Sequence, residues 1–489
     1  MRTGLGPATS RVLTLTRQRI IGTPCRSYTM YSTSAADITA PPVNYDMKIL
    51  DRSFFTKTIR TSALSVSNPR DIQKVKVKLM ASHDLLATTT IRPVVDDENK
   101  PGNKAVLMRP HIRYDDPSTW KEPWKGLIRD GTAVIQPYDL TLTYNHWTMS
   151  DILDAILPHL SDNPQEDHPS GFAQVGHIAH LNLKDIYLPY KHLIGQVLLD
   201  KNNGVKTVIN KLNDVGHNSV FRTFPYEILA GEDDLDVSVS HLNCQFRFNY
   251  AKVYWNIRNA HEHERLLSTF RPGQVVCDVM AGVGPFAVPA GKKGVWVWAN
   301  DLNPACYDAL RVAVDTNKVA PFVKPFNKDG AEFIREAARE LMTTQRSFVQ
   351  KPRVNISRNM TEAVKADIIE QAQKDSIIVY EPETFDHFVM NLPETAIDFL
   401  HAFKGLYSGY EHVFLKARRL PKIHVYTFQQ RKPTIEEERE ELLRRLSERI
   451  GHQLSKVEHE VELYQARLVA PKKWYYCASF RLPKEVAFA

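Results

Sequence analysis

A glycine-containing turn between two apolar segments constrains the fold of this chain more than any other feature. The segment DVMAGVGPFAVPA spans 278–290, and VWVWANDLNP follows at 295–304. The pattern predicts a strand, a tight turn, a helix and a second strand that ends at an acid, Asp301. Gly282 and Gly284 have no Cβ, so a ligand can lie against the turn backbone. This order is typical of an α/β sheet with a nucleoside site at the carboxyl edge of its strands.

The position of Asp301 predicts how a nucleoside would be held. It lies 19 residues after Gly282, where a carboxylate can accept hydrogen bonds from both hydroxyls of a ribose. The turn also satisfies the dinucleotide pattern Gly-x-Gly-x-x-Ala, so a nicotinamide dinucleotide is one candidate cofactor. Pro285 argues against it, because proline removes an amide donor from the helix N-terminus where a pyrophosphate would bind.

Two further loops favour a different cofactor. In FVMNLPETAIDFL, at 388–400, an apolar strand runs into Asn391, which is followed by leucine and proline. Asn-x-Pro at the carboxyl edge of such a sheet resembles the substrate-binding loop of amino-group methyltransferases that use S-adenosylmethionine. In PFNKDGAEFI, Asp329 can accept the exocyclic amine of an adenine, and Gly330 lets the base lie against the backbone. A helix N-cap is the alternative role for this aspartate.

The order of these segments resembles that of the archaeal and eukaryotic tRNA (guanine-37-N1)-methyltransferase family. The similarity covers about 45–489 and includes FRTFPYEILAGE at 221–232 and FRFNYAKVYWNIRNAHEHERL at 246–266. It implies an α/β fold class, with a C-terminal Rossmann-like class I methyltransferase domain and smaller α+β N-terminal and middle domains. It also implies S-adenosyl-L-methionine as cofactor, tRNA as partner, and methyl transfer to N1 of guanosine 37, next to the anticodon.

The family's functional residues carry over, motif by motif, to positions of this chain. The catalytic arginine matches Arg222, and the catalytic glutamate matches Glu262. The contacts to the cofactor match His263, Asp301, Leu302, Asp329, Gly330 and Asn391. The loop arguments add Gly282 and Gly284 as cofactor contacts, and Asn391 and Pro393 as substrate contacts.

The predicted reaction explains why these residue types are needed. Guanine N1 carries a proton at neutral pH, and this proton must leave before N1 can attack the methyl sulfonium. A carboxylate such as Glu262 can act as the general base, and Arg222 can stabilise the charge that gathers on O6. The target base must be unstacked and held by aromatic side chains, for which Tyr250, Tyr254 and Trp255 are candidates.

Near Glu262, two positions depart from the family pattern and a third is a second acid. The family reads Asn-Pro-Arg-Leu before the glutamate, whereas Ile257 and Asn259 stand here in place of the proline and the leucine. Glu264 is a second acid two positions after Glu262, and the two would point different ways on a helix. The sequence leaves open which of the two acids is the base.

Domain organisation follows from composition and from the resemblance. We expect a transit or unstructured segment at 1–44, a small tRNA-recognition domain at 45–130, a middle domain at 131–265 and the methyltransferase domain at 266–489. The first 36 residues hold five arginines and no acid, and they are rich in Ser and Thr. This composition is typical of mitochondrial import. Later starts at Met30 or Met47 would give a cytoplasmic or nuclear form.

Composition narrows the remaining classes of function. The net charge is +7, much of it in the first segment, so a nucleic acid must be held by local patches. The five cysteines are scattered without a Cys-x-x-Cys pair, and we expect no metal. No apolar run approaches the roughly 20 residues that cross a bilayer, so we expect no membrane partner. We expect a monomer. The alternative functions are methyl transfer to another RNA base and an NAD-dependent dehydrogenase.

Overall fold

Two compact units make up the part of the chain that the computed structural model describes. The described residues are 39–88, 90–158, 169, 171–212, 221, 223, 225–350, 352, 354, 360–414 and 419–489. The first unit contains 57–86 and 93–141, and the second contains 42–56, 87–92 and 142–489. Most of the predicted targeting segment, up to residue 38, lies outside the described residues.

The first unit is a four-stranded sheet with two helices. Its elements are β1 (Lys57–Val66), α1 (Ile72–Ala81), β2 (Val94–Asp96), β3 (Lys104–Leu107), α2 (Lys125–Arg129) and β4 (Ala133–Leu142). The strand order is β2-β3-β1-β4. Leu64, Val106 and Trp124 lie in its buried core. The first unit extends to Thr141 and so includes nearly all of β4, whereas the domain end expected from the sequence is at 130.

The second unit begins with a small mixed sheet and a hairpin. Its first elements are α3 (Met149–Ile156), β5 (Ala173–Val175), β6 (Ile178–Leu181), α4 (Lys191–Lys201), β7 (Thr207–Lys211), β8 (Tyr226–Gly231), β9 (Asp236–His241), β10 (Cys244–Asn249) and α5 (Ala260–Thr269). Strands β5 to β8 pair in sequence order, and β9 pairs antiparallel with β10. Helix α5 leads into the large sheet.

A seven-stranded sheet and a separate two-stranded antiparallel sheet, with their helices, form the rest of the second unit. Their elements are β11 (Val275–Asp278), α6 (Ala287–Lys292), β12 (Trp296–Asn300), α7 (Pro304–Thr316), β13 (Val323–Phe326), α8 (Gly330–Thr343), β14 (Ser347–Gln350), α9 (Glu362–Lys374), β15 (Ile377–Tyr380), β16 (His387–Met390), α10 (Glu411–Phe414), β17 (Lys422–Gln430), α11 (Ile435–Ile450), β18 (Glu462–Ala470), β19 (Lys473–Arg481) and α12 (Lys484–Ala487). The strand order in the seven-stranded sheet is β13-β12-β11-β16-β17-β19-β18, and β14 pairs with β15 in the two-stranded sheet. The first five strands of the larger sheet are parallel, and β19 runs antiparallel to both of its neighbours.

The central strands of this sheet are buried on both faces. Every residue of β11, β12 and β16 is buried, as expected for parallel strands covered by helices on each side. Alternate residues enter two separate cores, with Val276 in one and Val275 in the other. These features confirm the predicted α/β fold. The carboxyl ends of the parallel strands therefore meet at one edge, where the predicted site residues follow them.

Buried histidines should make the second unit sensitive to acid. Burial lowers the pKa of His180 and His387 to about 4 and that of His263 to about 3. The unfolded chain binds these protons near pH 6.5 and the folded chain does not, so stability falls as pH drops below 6.5. At pH 5.5 the free energy of unfolding should be lower than at pH 7.5 by about 1.4 kcal/mol for each such histidine. Urea unfolding at both pH values measures this difference, and equal values would contradict it.

Among the described residues, every helix is too short or too polar to span a bilayer.

Candidate active site

The glycine turn after β11 is closed by the acid at the end of β12. Asp301 accepts a hydrogen bond from the Gly282 N–H through Oδ2 (2.8 Å) and from the Asn303 N–H through Oδ1 (2.9 Å). Both glycines have positive φ, 57° at Gly282 and 91° at Gly284, which favours glycine. A Cβ on Gly282 would meet nothing within 4 Å, whereas one on Gly284 would lie 2.5 Å from Leu310. Gly282 therefore leaves room for a ligand, and Gly284 allows the turn to pack on α7.

Six of the predicted cofactor contacts line one cavity, which we call the cofactor crevice. They are Gly282, Asp301, Leu302, Asp329, Gly330 and Asn391. These residues come from the carboxyl ends of β11, β12, β13 and β16, as the parallel topology requires. The sequence did not predict several further lining residues, among them Phe221, Cys306 and Phe399, whereas Tyr254, which was predicted to hold the target base, also lines the crevice. Gly284 is not among the described lining residues.

Asp329 has the alternative role that the sequence allowed, and it also faces the crevice. Its Oδ1 accepts from the N–H groups of Ala331 (2.8 Å) and Glu332 (3.2 Å) at the start of α8. A Cβ on Gly330 would lie 3.0 Å from Phe399 and 3.2 Å from Val279. Because that contact is tight, the backbone at Gly330 forms a close wall of the crevice. The second oxygen of Asp329 is available to a ligand.

A buried carboxyl group behind the turn was not predicted. Asp278 is the last residue of β11, is fully buried, and has no hydrogen-bond partner on either oxygen within the described part of the chain. Burial, with a smaller contribution from Asp301, raises its pKa well above the usual range. Burial also raises the pKa of Asp301. An acid at the end of an apolar strand was the one sequence signal for this residue.

Of these two acids, Asp301 lines the cofactor crevice, whereas Asp278 is among the described lining residues of neither cavity. The oxygens of Asp301 offer acceptors to the hydroxyls of a ribose. Pro285 lines the adjoining cavity and has no N–H to offer a pyrophosphate. The open space at Gly282 and the acceptors of Asp301 therefore fit the nucleoside of S-adenosylmethionine better than a dinucleotide.

A second cavity adjoins the crevice, and we call it the aromatic pocket. The two cavities share Tyr254, Met280, Gly282 and Asn391. The other rings that line the aromatic pocket are Trp255, Phe286, Phe428 and Tyr475. Its polar lining consists of Asn256, Asn259, His263 and Arg467, and Pro393 closes one side. Tyr250, the third predicted base-stacking ring, is buried in the core, and its hydroxyl contacts His180 Nδ1 (3.1 Å).

Asn391 is held in one orientation by a tyrosine from β19. The Tyr475 hydroxyl donates to Asn391 Oδ1 over 2.7 Å, and Tyr475 is buried. The Tyr475 ring stacks on Tyr426, with 5.3 Å between centroids and 23° between planes. Since Oδ1 already accepts this bond, the Nδ2 group is the side of the amide that remains for a ligand. Asn391 therefore offers mainly a donor to the two cavities.

Removing the Tyr475 hydroxyl should slow catalysis without weakening the cofactor. In Tyr475→Phe the Asn391 amide loses its buried donor and can turn, a loss of about 1 kcal/mol. We expect single-turnover methyl transfer to fall about 5- to 10-fold while the Kd of S-adenosylhomocysteine stays within about twofold. Tyr476→Phe is the matched control, because the Tyr476 hydroxyl donates to Glu438 on the other face of the sheet (2.9 Å). Equal slowing in both variants would contradict this role.

Glu262 points into the protein and Glu264 points to solvent. Glu262 Oε1 accepts from Arg265 (2.6 Å) and from the Tyr426 hydroxyl (2.8 Å), and Oε2 accepts from Arg265 (2.7 Å). Three of the four lone-pair positions of the carboxylate are thus used, and one on Oε2 remains. Glu262 is not among the described lining residues of either cavity, although its neighbours Asn259 and His263 line the aromatic pocket.

The remaining predicted residues are placed as follows. His263 is buried, its Nδ1 lies 3.1 Å from His241 Nε2, and burial with His241 lowers its pKa to about 3. It is therefore a neutral side chain in the aromatic pocket. Pro393 accepts a backbone hydrogen bond from Phe428 (3.1 Å), which ties the asparagine loop to β17. Arg222 lies outside the described residues.

One group of potential metal ligands lies away from both cavities. His452, His459 and Glu485 bring ligand atoms within 4.8 Å of one another. The Ser455 N–H donates to His459 Nδ1 over 2.9 Å, so neutral His459 carries its proton on Nε2. A nitrogen that keeps its proton cannot bind a metal, and we assign no metal to this group.

Comparisons with known proteins agree with this geometry. A family model described as the TYW2 N-terminal domain matches 149–234, and one described as the TRM5/TYW2 methyltransferase domain matches 239–351. A tRNA (guanine(37)-N(1))-methyltransferase of Aspergillus fumigatus is 46% identical, over 94% of this chain and 98% of the relative. The enzyme of that name from Schizosaccharomyces pombe is 43% identical, over 91% of this chain and 96% of the relative.

A solved structure shares the fold. The structure described as the complex of aTrm5 and tRNALeu matches with a TM-score of 0.53 and 17% identity, over 86% of this chain and 99% of that chain. The fold and the crevice define a class I methyltransferase. With relatives this similar along nearly its whole length, the chain belongs to the tRNA (guanine(37)-N(1))-methyltransferase family.

Proposed function

We propose that this enzyme transfers a methyl group from S-adenosylmethionine to N1 of the guanosine at position 37 of tRNA. The observation that carries the proposal is the crevice itself. Gly282, Asp301, Asp329 and Asn391 come from four strand ends and line one cavity beside an aromatic pocket. The relatives named above support the same reaction and the same partner, tRNA.

The cofactor crevice supplies the contacts that a nucleoside needs. Asp301 accepts from the ribose hydroxyls with the lone pairs that the turn leaves, and Asp329 with Gly330 receives the adenine. S-adenosylmethionine, when bound, supplies an electrophilic methyl group. This chain's residues would bind and orient it and exclude water from the crevice.

The aromatic pocket receives the unstacked guanine. Tyr254 lies at the junction of the two cavities and is 40% exposed, so its ring can still stack on a base that enters. Trp255 and Phe428 provide further apolar surface, and Asn391 offers its Nδ2 donor to an acceptor on the base. Stacking on aromatic rings is the usual way to hold a base outside its helix.

Glu262 is the proposed general base, and the structure favours it over Glu264. Glu262 is buried and its neighbours Asn259 and His263 line the aromatic pocket, whereas Glu264 is exposed. The remaining lone pair on Oε2 can accept the N1 proton, while Arg265 keeps the carboxylate oriented. Arg222 is proposed to stabilise the charge on guanine O6.

Mass-spectrometric mapping tests this function. The purified chain is incubated with S-adenosylmethionine and one of two tRNA transcripts, which carry guanosine or adenosine at position 37. We expect one N1-methylguanosine at position 37 in the first transcript and no product in the second. If another base is methylated, that base is the substrate in place of guanosine 37. If the chain instead oxidises a hydroxyl compound with NAD, it is a dehydrogenase and not a methyltransferase.

Localisation and assembly are separate proposals. We propose that residues 1–44 direct the chain to mitochondria, because the first 36 residues are rich in arginine and lack acids. A start at Met30 would keep the hydrogen bond from the Asn44 N–H to the Ala155 carbonyl (2.8 Å), whereas a start at Met47 would remove it. Fusions of 1–44 to a fluorescent protein test import.

We also propose a monomer, which sedimentation of the purified chain tests.

A further inference from the structure

The edge hairpin β18–β19 carries an irregularity next to the aromatic pocket. Gln465 pairs with Tyr476, yet Arg467 pairs with Tyr475, so one extra residue of β18 is inserted between the two pairs. Successive residues of β19 face opposite sides, and the bulge therefore moves Arg467 to the side of Tyr475. Gln465 stays on the opposite side, where its amide lies 3.4 Å from Glu438 of α11. Without the bulge, Arg467 would face α11 and not the pocket.

Arg467 is held in the pocket by two contacts. Its Nε donates to Asn259 Oδ1 over 3.3 Å, and its guanidinium lies 5.6 Å from the centre of the Tyr475 ring. Asn259 is buried. An apolar side chain at this position could not accept the hydrogen bond from Arg467, so the asparagine orients the guanidinium.

Charge separates Arg467 from the other lining residues. Among the described residues that line the two cavities it is the one permanent cation, since His263 is neutral. The Lys473 ammonium lies outside this lining, 4.2 Å from the centre of the Phe428 ring. No described carboxylate forms a salt bridge with Arg467. A half-buried guanidinium has donors in a planar fork that match a carboxylate. The aromatic pocket therefore has a positively charged side chain to which an anionic group can bind.

The shape of the two cavities indicates which anion would reach it. If the ribose lies at Asp301 and the base at Asp329, the substituent on the ribose extends past Gly282, where the cavities join. In S-adenosylmethionine that substituent is an amino-acid tail, which ends in a carboxylate. The guanine acceptor is neutral and has no comparable need for a cation.

We propose that Arg467, oriented by Asn259, binds the carboxylate of the methionine tail of S-adenosylmethionine. This inference rests on the proposed function and adds to it the residue that selects the amino-acid end of the cofactor. Two or more charge-assisted donors of the guanidinium would face that carboxylate. The bulge in β18 and the asparagine at position 259 are then parts of the cofactor site.

Binding of two matched ligands tests the proposal without turnover. S-adenosylhomocysteine has the carboxylate, and its decarboxylated analogue, S-adenosyl-3-thiopropylamine, differs by lacking it. By calorimetry we expect the wild-type enzyme to bind the analogue about 10- to 100-fold more weakly. Arg467→Gln should weaken S-adenosylhomocysteine by a similar factor and leave the analogue within about twofold. Asn259→Leu should weaken S-adenosylhomocysteine several-fold and leave the analogue unchanged.

Two further variants separate charge from structure. Arg467→Lys keeps the charge and should retain an intermediate preference for S-adenosylhomocysteine. Lys472→Gln removes a charge from the exposed turn of the same hairpin and should leave both affinities at the wild-type value. Equal weakening of both ligands by Arg467→Gln and Arg467→Lys would overturn the proposal. So would unchanged binding of both ligands with a raised KM for tRNA, since Arg467 would then contact the acceptor. A wild-type enzyme that binds neither ligand would contradict the proposed function itself.

Discussion

Replacing Glu262 by glutamine should reduce methyl transfer about 100- to 10,000-fold and leave binding of S-adenosylhomocysteine near the wild-type value. Glutamine has nearly the shape of glutamate, and its one oxygen can still accept from the Tyr426 hydroxyl and from one N–H of Arg265, while the second bond from Arg265 is lost. Glutamine cannot take the N1 proton of guanine. The loss should therefore appear in the single-turnover rate with saturating tRNA, and not in the Kd of the cofactor.

Glu264→Gln is the matched control for this experiment. Glu264 lies two positions along the same helix and is exposed, so its replacement changes the net charge equally and should leave the rate within about twofold. Thermal unfolding of both variants reports any effect of the lost charge opposite Arg265. If Glu262→Gln turns over at the wild-type rate, or if Glu264→Gln is the inactive variant, Glu262 is not the base.

Local sequence order was enough to predict the parts of the site that lie on consecutive elements. The turn glycines, Asp301 and Asn391 each follow a strand, and the parallel order brings those strand ends together. Helix α11 also carries local signals at both of its ends. Thr434 accepts from the Glu437 N–H at its start, and Gly451 ends it with a φ of 75°, as this sequence pattern predicts.

Contacts that depend on register could not be predicted from the sequence. Tyr475 meets Asn391 because β19 is inserted next to β17, and this contact joins residues 84 positions apart. Arg467 reaches the pocket through a bulge that has no composition signal. Gly284 was predicted to contact the cofactor, and the structure gives it a packing role because Leu310 occupies the space beside it. These contacts follow from the order and register in which the strands pair, which the local sequence pattern does not specify.

Replacing Asp301 by alanine should remove most of the affinity for the cofactor. The change deletes the acceptor of the Gly282 N–H and the proposed acceptor of two ribose hydroxyls. Each hydrogen bond to a charged group contributes about 1.5–3 kcal/mol. We expect the Kd of S-adenosylhomocysteine to rise about 100- to 1,000-fold by calorimetry. Asp308→Ala, at an exposed position on α7, should leave it unchanged.

A nucleoside variant distinguishes ribose binding from support of the turn. The 2′-deoxy form of S-adenosylhomocysteine lacks one of the two hydroxyls that Asp301 is proposed to bind. The wild-type enzyme should bind it about 10-fold more weakly than the parent, because one charged hydrogen bond is lost. Asp301→Ala should bind the two forms equally, since the carboxylate that senses the hydroxyl is gone. If the variant still prefers the ribose form by the wild-type factor, Asp301 only closes the glycine turn, and another residue holds the sugar.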